Sequence, residues 1–315
     1  MISATPSTPS TYQLRRTHRS GFVRLRGLNH HLLHWGDASL VTPHRPLLVM
    51  VHGWMDVGAS FQFVVDALNQ DRAVLALDWR GFGLSDASGA DSYWFPDYLG
   101  DLDALLDAVS PGQPVDLLGH SMGGNVVMSY AGVRPERIRR LVNLEGFGLP
   151  ETTPELAPAR LVEWLNDLKT PQQLKTYPSL AAVAERLRKT NPRLPPDKAA
   201  WLAPHWSREV DGAEGKTWHI LGDAAHKRAN PMLYRKAEIL AAWQRISAPT
   251  LWVEGDSTNM SKWWGDRYPR SDFESRLAVV AQVQRVVLKD AGHMLHHDQP
   301  EELARALEHF LDARA

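Results

Sequence analysis

The chain contains no cysteine. That absence removes disulfides, thiolate metal ligands and a cysteine nucleophile together. Charge of one sign is lacking too: 35 Lys and Arg against 36 Asp and Glu leave a formal net charge of −1. Bulk electrostatics therefore recruits neither nucleic acid nor an anionic membrane surface, and neither is expected as a partner. No apolar run approaches the ~20 residues that span a bilayer. The segment Met1 to Ser20 is rich in Ser, Thr, Pro and Arg and has no apolar centre. It does not read as a secretory signal, and a cytoplasmic location is the expectation. Internal repeats are absent as well.

What remains is ordinary globular material: 315 residues, 43% hydrophobic and 23% charged, with 12 tryptophans that call for large apolar surfaces in a core or around a pocket. One stretch organises the rest, Val115-Asp116-Leu117-Leu118-Gly119-His120-Ser121-Met122-Gly123-Gly124. A short apolar run ends in glycine, a serine follows between two glycines, and a helical pattern begins. That is strand, tight turn, helix, with serine at the apex. So sharp a turn excludes side chains at the flanking glycines and holds the serine in strained backbone. The helix start behind it offers unpaired N–H groups to an oxyanion.

The surrounding chain reads as strands alternating with helices. Phe22 to Leu25 and His31 to Trp35 form a hairpin around Gly27-Leu28-Asn29. Leu47 to Val51, Ala73 to Leu77, Val115 to Gly119 and Ile138 to Leu144 are continuous apolar runs, the mark of parallel strands buried on both faces. From Leu149 to about Ile246 the pattern turns helical, rich in proline and tryptophan, with no buried strand in evidence. Strands resume at Thr250 to Glu254 and Val283 to Leu288, and a helix from Pro300 to Leu311 ends the pattern. The predicted organisation is a flexible N-terminal arm (1–18), an α/β core (19–148 and 247–315) and an inserted helical cap (149–246). His226-Lys227-Arg228 reads as a solvated turn, and the cap tryptophans as core with some aromatic surface roofing the site.

The polar candidates gather at the carboxyl ends of the parallel strands, where open α/β sheets build their sites. A serine hydroxyl needs a base to take its proton. His293, on the glycine-containing loop after the last strand, is the best placed. His120 neighbours the serine but points away from it. His296 and His297 lack the strand-end position. His30, His31 and His34 sit close together, but alternation along a strand puts His31 and His34 on opposite faces, so a metal site is not expected there. Arg80 and Asp86 pin the loop beside the site.

The motifs His52-Gly53-Trp54, Asp78-x-Arg80-Gly81-x-Gly83-x-Ser85, Gly119-x-Ser121-x-Gly123-Gly124 and Gly292-His293 together resemble the α/β-hydrolase superfamily from about Gly21 onward. The resemblance implies the α/β-hydrolase fold, a mostly parallel eight-stranded sheet with helices on both faces and an inserted helical cap. It also implies a Ser/acid/His triad in that chain order and an oxyanion hole from the N–H groups of Trp54 and Met122. The chain is similar in shape to capped haloalkane dehalogenases and epoxide hydrolases and to serine hydrolase-like proteins. It departs from the first two in having Ser121 where they have an aspartate nucleophile, which argues against alkyl-halide or epoxide opening.

Two carboxylates compete for the acid. Many members place it three residues beyond a glycine after the strand that follows the cap; here that residue is Thr258, which cannot serve, and Asp256 lies two residues early. Others place it at the end of the strand before the cap, where Glu145 stands. Glu145 is the expectation and Asp256 the alternative. The expected activity is hydrolysis of a carboxylic ester, or a related acyl compound with an apolar acyl group, through an acyl-enzyme intermediate. It calls for no metal and no cofactor. The alternatives are C–C, thioester or lactone hydrolysis or cofactor-free perhydrolysis by the same triad, and a non-catalytic binding protein on a hydrolase fold.

Overall fold

A computed structural model describes residues 11–212 and 215–313. The chain opens with the hairpin β1 (Arg19–Leu25) and β2 (Leu28–Trp35), then alternates β3 (Leu48–Val51), α1 (Gln62–Ala67), β4 (Val74–Leu77), α2 (Phe95–Val109), β5 (Val115–His120), α3 (Met122–Val133) and β6 (Ile138–Leu144). An insertion follows, with α4 (Ala157–Leu168), β7 (Thr176–Tyr177), α5 (Leu180–Thr190), α6 (Pro196–Trp206), β8 (Ser207–Gly212), β9 (Gly215–Ile220) and α7 (Lys236–Trp243). The chain then returns through β10 (Thr250–Gly255), α8 (Ser261–Trp264), α9 (Arg270–Leu277), β11 (Val283–Leu288), α10 (Leu295–Asp298) and α11 (Pro300–Leu311).

Eight strands form one sheet in the order β1-β2-β4-β3-β5-β6-β10-β11. The β1/β2 and β2/β4 pairs are antiparallel; every other pair is parallel. The continuous apolar runs become strands buried on both faces. Along β3 the side chains alternate: Leu48 and Met50 join a core cluster with α1 and α11, whereas Val49 and Val51 join one with α2 and α3. In α11 the buried residues Leu303, Leu307, Phe310 and Leu311 recur at helical spacing and turn one stripe to the sheet. The winding direction reverses between β3 and β5, so the loops after those two strands diverge and leave a crevice.

Several expectations need correction. The described part of the N-terminal arm is docked, not flexible: the Tyr12 hydroxyl donates to Asp66 at 3.0 Å, the Arg16 N–H donates to the same carboxylate at 2.7 Å, and Tyr12 packs edge-on against Phe63. Met1 to Ser10 lie outside the described residues. The insertion is not purely helical either. It carries a three-stranded antiparallel sheet, β7-β9-β8, whose strands are mostly exposed and so leave no apolar run to read. Finally, α7, within the residues read as cap, packs on core helix α3. There a Cβ on Gly132 would come within 2.0 Å of the Ala242 carbonyl, and Trp243 is buried with the core. We therefore propose that the cap ends before α7.

The cap and core share contacts. Val183, Leu187, Ala199, Leu202 and Ala203 of α5 and α6 bury into the same cluster as Phe63 and Leu295. The chain beyond β9 docks on the loop after β4, where Gly83 N–H donates to the Leu221 carbonyl at 3.0 Å and Asp223 N–H to the Gly81 carbonyl at 2.8 Å. His226 is no solvated turn. It is stacked between Phe82 and Tyr93, with centroids 3.8 and 3.6 Å away, and burial pulls its imidazole down to about 4.

Candidate active site

Ser121 sits at the junction of β5 and α3 with φ 53° and ψ −115°, a conformation costly for a residue with a side chain. The surroundings enforce it. A Cβ on Gly119 would lie 2.3 Å from the Gly123 carbonyl oxygen, and one on Gly123 would lie 2.4 Å from that of Val51, so strand and helix can approach only through glycine. Ser121 N–H donates to the Leu144 carbonyl at 2.8 Å, which fastens the turn to the neighbouring strand end.

His293 reaches the serine from the loop after β11. Its Nε2 lies 2.9 Å from Ser121 Oγ, and its Nδ1 lies 2.7 Å from Glu145 Oε2. Glu145 follows β6, is 1% exposed and also has positive φ, 54°. Its second oxygen accepts from Gly255 N–H at 2.7 Å. The carboxylate is thereby held at both oxygens, and the imidazole is oriented with Nδ1–H toward Glu145 and the Nε2 lone pair toward the hydroxyl. The structure brings together Ser121, His293 and Glu145. Asp256 is exposed instead and bonds its neighbour's hydroxyl, Ser257 Oγ, at 3.0 Å.

Met122 opens α3, and Trp54 follows Gly53, whose added Cβ would lie 3.0 Å from Ser121 Cβ. Neither the Trp54 nor the Met122 N–H has a hydrogen-bond partner among the described residues. These two loops flank the crevice where the sheet's winding reverses, and both free donors belong to residues beside the serine turn.

The supports are polar and buried. Asp78 accepts from Gly58 N–H at 2.6 Å and Leu84 N–H at 3.0 Å and lies 2.7 Å from His31 Nδ1. Burial alone would raise its carboxyl, but His31, His52 and the Gly58 N–H bring it below its ordinary value. Arg80 grips Asp101 with two bonds of 2.5 Å, and Asp86 accepts from the Asn29 N–H at 2.8 Å. His30 and His31 turn to Asp101 and Asp78 respectively.

Sequence reasoning missed three contributors. Trp263 packs edge-on against the His293 ring at 4.7 Å. Asp298 accepts from Gly292 N–H at 2.8 Å and from Asn191 Nδ2 at 2.7 Å, tying the His293 loop to the end of cap helix α5. Asp56 lies buried behind the serine. Only Asp56, next to the His52-Gly53-Trp54 motif, carried a local signal. His120, read as pointing away from the serine, lies 2.7 Å from the His293 carbonyl through its Nε2.

The chain matches the alpha/beta hydrolase fold family model over residues 46–300 and belongs to that family. Among its relatives, a 3-hydroxybutyrate-oligomer hydrolase of Cupriavidus necator is 27% identical, with 94% of this chain and 98% of that protein covered. Esterase YbfF of Escherichia coli is 26% identical, covering 84% of this chain and 92% of the relative. A solved thioesterase domain from the curacin biosynthetic pathway superposes with a TM-score of 0.77 at 27% identity, over 92% of this chain and 99% of that one. These similarities support hydrolase activity. No helix among the described residues is long and apolar enough to cross a membrane.

Proposed function

We propose that the protein is a serine hydrolase that cleaves a carboxylic ester through an acyl-enzyme. The observation that carries the reading is the unbroken chain Ser121 Oγ, His293 Nε2, His293 Nδ1, Glu145 Oε2, with both links within hydrogen-bond distance. In the proposed reaction Ser121 Oγ attacks the ester carbonyl carbon while its proton passes to His293 Nε2. Glu145 holds the imidazole in the tautomer that can accept and stabilises the imidazolium that forms. The Trp54 and Met122 N–H groups receive the negative charge that develops on the carbonyl oxygen. His293 then protonates the departing alcohol. Water, deprotonated by the same nitrogen, attacks the acyl-serine and releases the acid.

An ester is favoured over other acyl bonds because the hydroxybutyrate-oligomer hydrolase and the esterase both carry ester or oligomer hydrolysis in their names and align over most of their length. A fluorophosphonate probe should label Ser121 in the wild type and nothing in Ser121→Ala, and p-nitrophenyl ester turnover should vanish in the same variant. A folded Ser121→Ala protein that keeps its esterase rate would overturn the reading, and an unlabelled wild type would point to a binding protein. A panel of esters, thioesters and lactones of graded chain length then ranks the bond type.

A further inference from the structure

Behind the serine lies a second polar cluster that the proposed hydrolysis does not use. Asp56, on the loop after β3, His120, the last residue of β5, and His296, on α10, each bring one ligand atom within 4.8 Å of the others. All three side chains are buried, at 4%, 2% and 0% exposure. Their hydrogen bonding is incomplete in a consistent way. Asp56 Oδ1 accepts from Val57 N–H at 2.9 Å and from the Ser60 hydroxyl, while Oδ2 has no hydrogen-bond partner and faces His296. His120 Nε2 faces the His293 carbonyl at 2.7 Å. A carbonyl can only accept, so Nε2 carries the hydrogen; in the neutral ring Nδ1 is then a bare lone pair, and it too is unpartnered. Neither nitrogen of His296 has a hydrogen-bond partner, and its Nε2 stands 3.7 Å from Asp56 Oδ2. Buried polar atoms left unpaired cost about 1–3 kcal/mol each, so a concentration of them at one point calls for an occupant.

We propose that Asp56, His120 and His296 form a binding site for a divalent transition-metal ion such as Zn2+. Two imidazoles and one carboxylate are a common zinc donor set, with a fourth position left for water. Tetrahedral coordination at about 2.1 Å would set ligand atoms about 3.4 Å apart. The 3.7 Å pair is close to that already, and the other pairs, all within 4.8 Å, must close by at most about 1.4 Å. The His120 Nε2–H bond to a backbone carbonyl is the outer contact that fixes the tautomer of a metal-binding histidine. The ion is not a participant in hydrolysis. It would join the loop bearing Trp54, the strand end bearing Ser121 and the helix next to His293, and so restrain the parts that must adjust during turnover; this consequence, unlike the binding itself, rests on the serine-hydrolase reading.

Co2+ added alone to the full chain reads the site without reference to hydrolysis. The wild type should develop the intense visible bands of a four-coordinate ion at one equivalent, and Zn2+ should bleach them. His296→Gln should weaken Co2+ binding at least tenfold, as should Asp56→Asn, which keeps the Ser60 and Val57 contacts. His296→Gln should also retain ester turnover and lose any inhibition by Zn2+. Absence of bands in the wild type, or equal bands in wild type and both variants, overturns the site. If the variants do not fold, anomalous scattering from Zn2+-soaked wild-type crystals decides: a peak among the three side chains supports it, and zinc on surface histidines alone overturns it.

Discussion

Two neighbouring strands of the sheet, β6 and β10, each end in a carboxylate, and the two carboxylates meet opposite fates. Glu145 is sealed at 1% exposure, held in a positive-φ backbone and bonded at both oxygens. Asp256 is exposed, and its carboxylate accepts from the hydroxyl of the adjacent Ser257. Both stand at the edge where α/β sheets build sites, so topology does not separate them. Enclosure does. A carboxylate that must stabilise an imidazolium is worth most where water cannot screen it. The strained backbone of Glu145 delivers its side chain under the sheet rim, and the Gly255 N–H, from the end of β10 itself, holds it there. The strand that carries Asp256 thus donates the bond that holds Glu145, the acid we propose.

Of changes to the two carboxylates, the larger effect should come from Glu145→Gln. The shape is kept, but the amide can present a donor to His293 Nδ1 and favour the wrong tautomer. Serine proteases lose about 10⁴-fold in kcat from the equivalent change. A loss of that order in p-nitrophenyl ester kcat, with thermal stability near that of the wild type, is expected. A loss below tenfold would transfer the role away from Glu145.

A smaller effect sharpens the contrast from the histidine side. Asp298 holds both the Gly292 N–H and the Asn191 side chain, so it positions the His293 loop against the cap. Asp298→Asn leaves one of those two donors unpaired. Loosening a catalytic loop costs rate through orientation, and kcat should fall on the order of tenfold. KM should change less, because the substrate does not need Asp298 to bind. An unchanged kcat would mean the loop is held by Trp263 and His120 alone.

How much of this was visible in the chain follows from the same distinction. The buried strands were legible because a strand covered on both faces must be apolar throughout, as in Leu48 to Val51. Ser121 was legible because its glycine neighbours are forced by contacts local to the turn. His293 was legible from its place after the last strand. The choice between Glu145 and Asp256 depended on which carboxylate the backbone turns inward, and that information lies in φ and in the partner strand. Trp263, Asp298 and the Asp56–His296 pair meet their partners only across the fold. The cap's small sheet has exposed faces and hence no apolar run. Tyr12 docks an arm whose composition is otherwise that of a loose tail.

His226 extends the point that enclosure overrides sequence context. Stacked between Phe82 and Tyr93, it is kept neutral by burial, and His205 is similarly drawn down to about 4. Their folded-state values lie below the ordinary 6.5, so the unfolded chain takes up protons first as pH falls. Stability is full above about 6.5 and is lost between there and about 4, by at most ~1.4 kcal/mol per pH unit for each proton. Urea midpoints measured at pH 7 and pH 5 should therefore differ by less in His226→Gln than in the wild type. Equal pH dependence in the two proteins would place the imidazole in water, as its polar neighbours Lys227 and Arg228 suggest.

The smallest expected effect closes the comparison from the other side. Asp256→Asn removes a charge from an exposed turn, where an amide oxygen can still accept from the Ser257 hydroxyl. Surface substitutions of this kind stay within about 0.5 kcal/mol in stability. The change in kcat should be within about twofold, since His293 Nδ1 is already engaged by Glu145. The informative form is the double variant. If Glu145 alone supplies the acid, adding Asp256→Asn to Glu145→Gln should multiply the two small and large losses independently. If Asp256 swings in to replace a neutralised Glu145, the double variant should lose far more than the product, and the coupling between the two sites would measure how far the exposed carboxylate can travel.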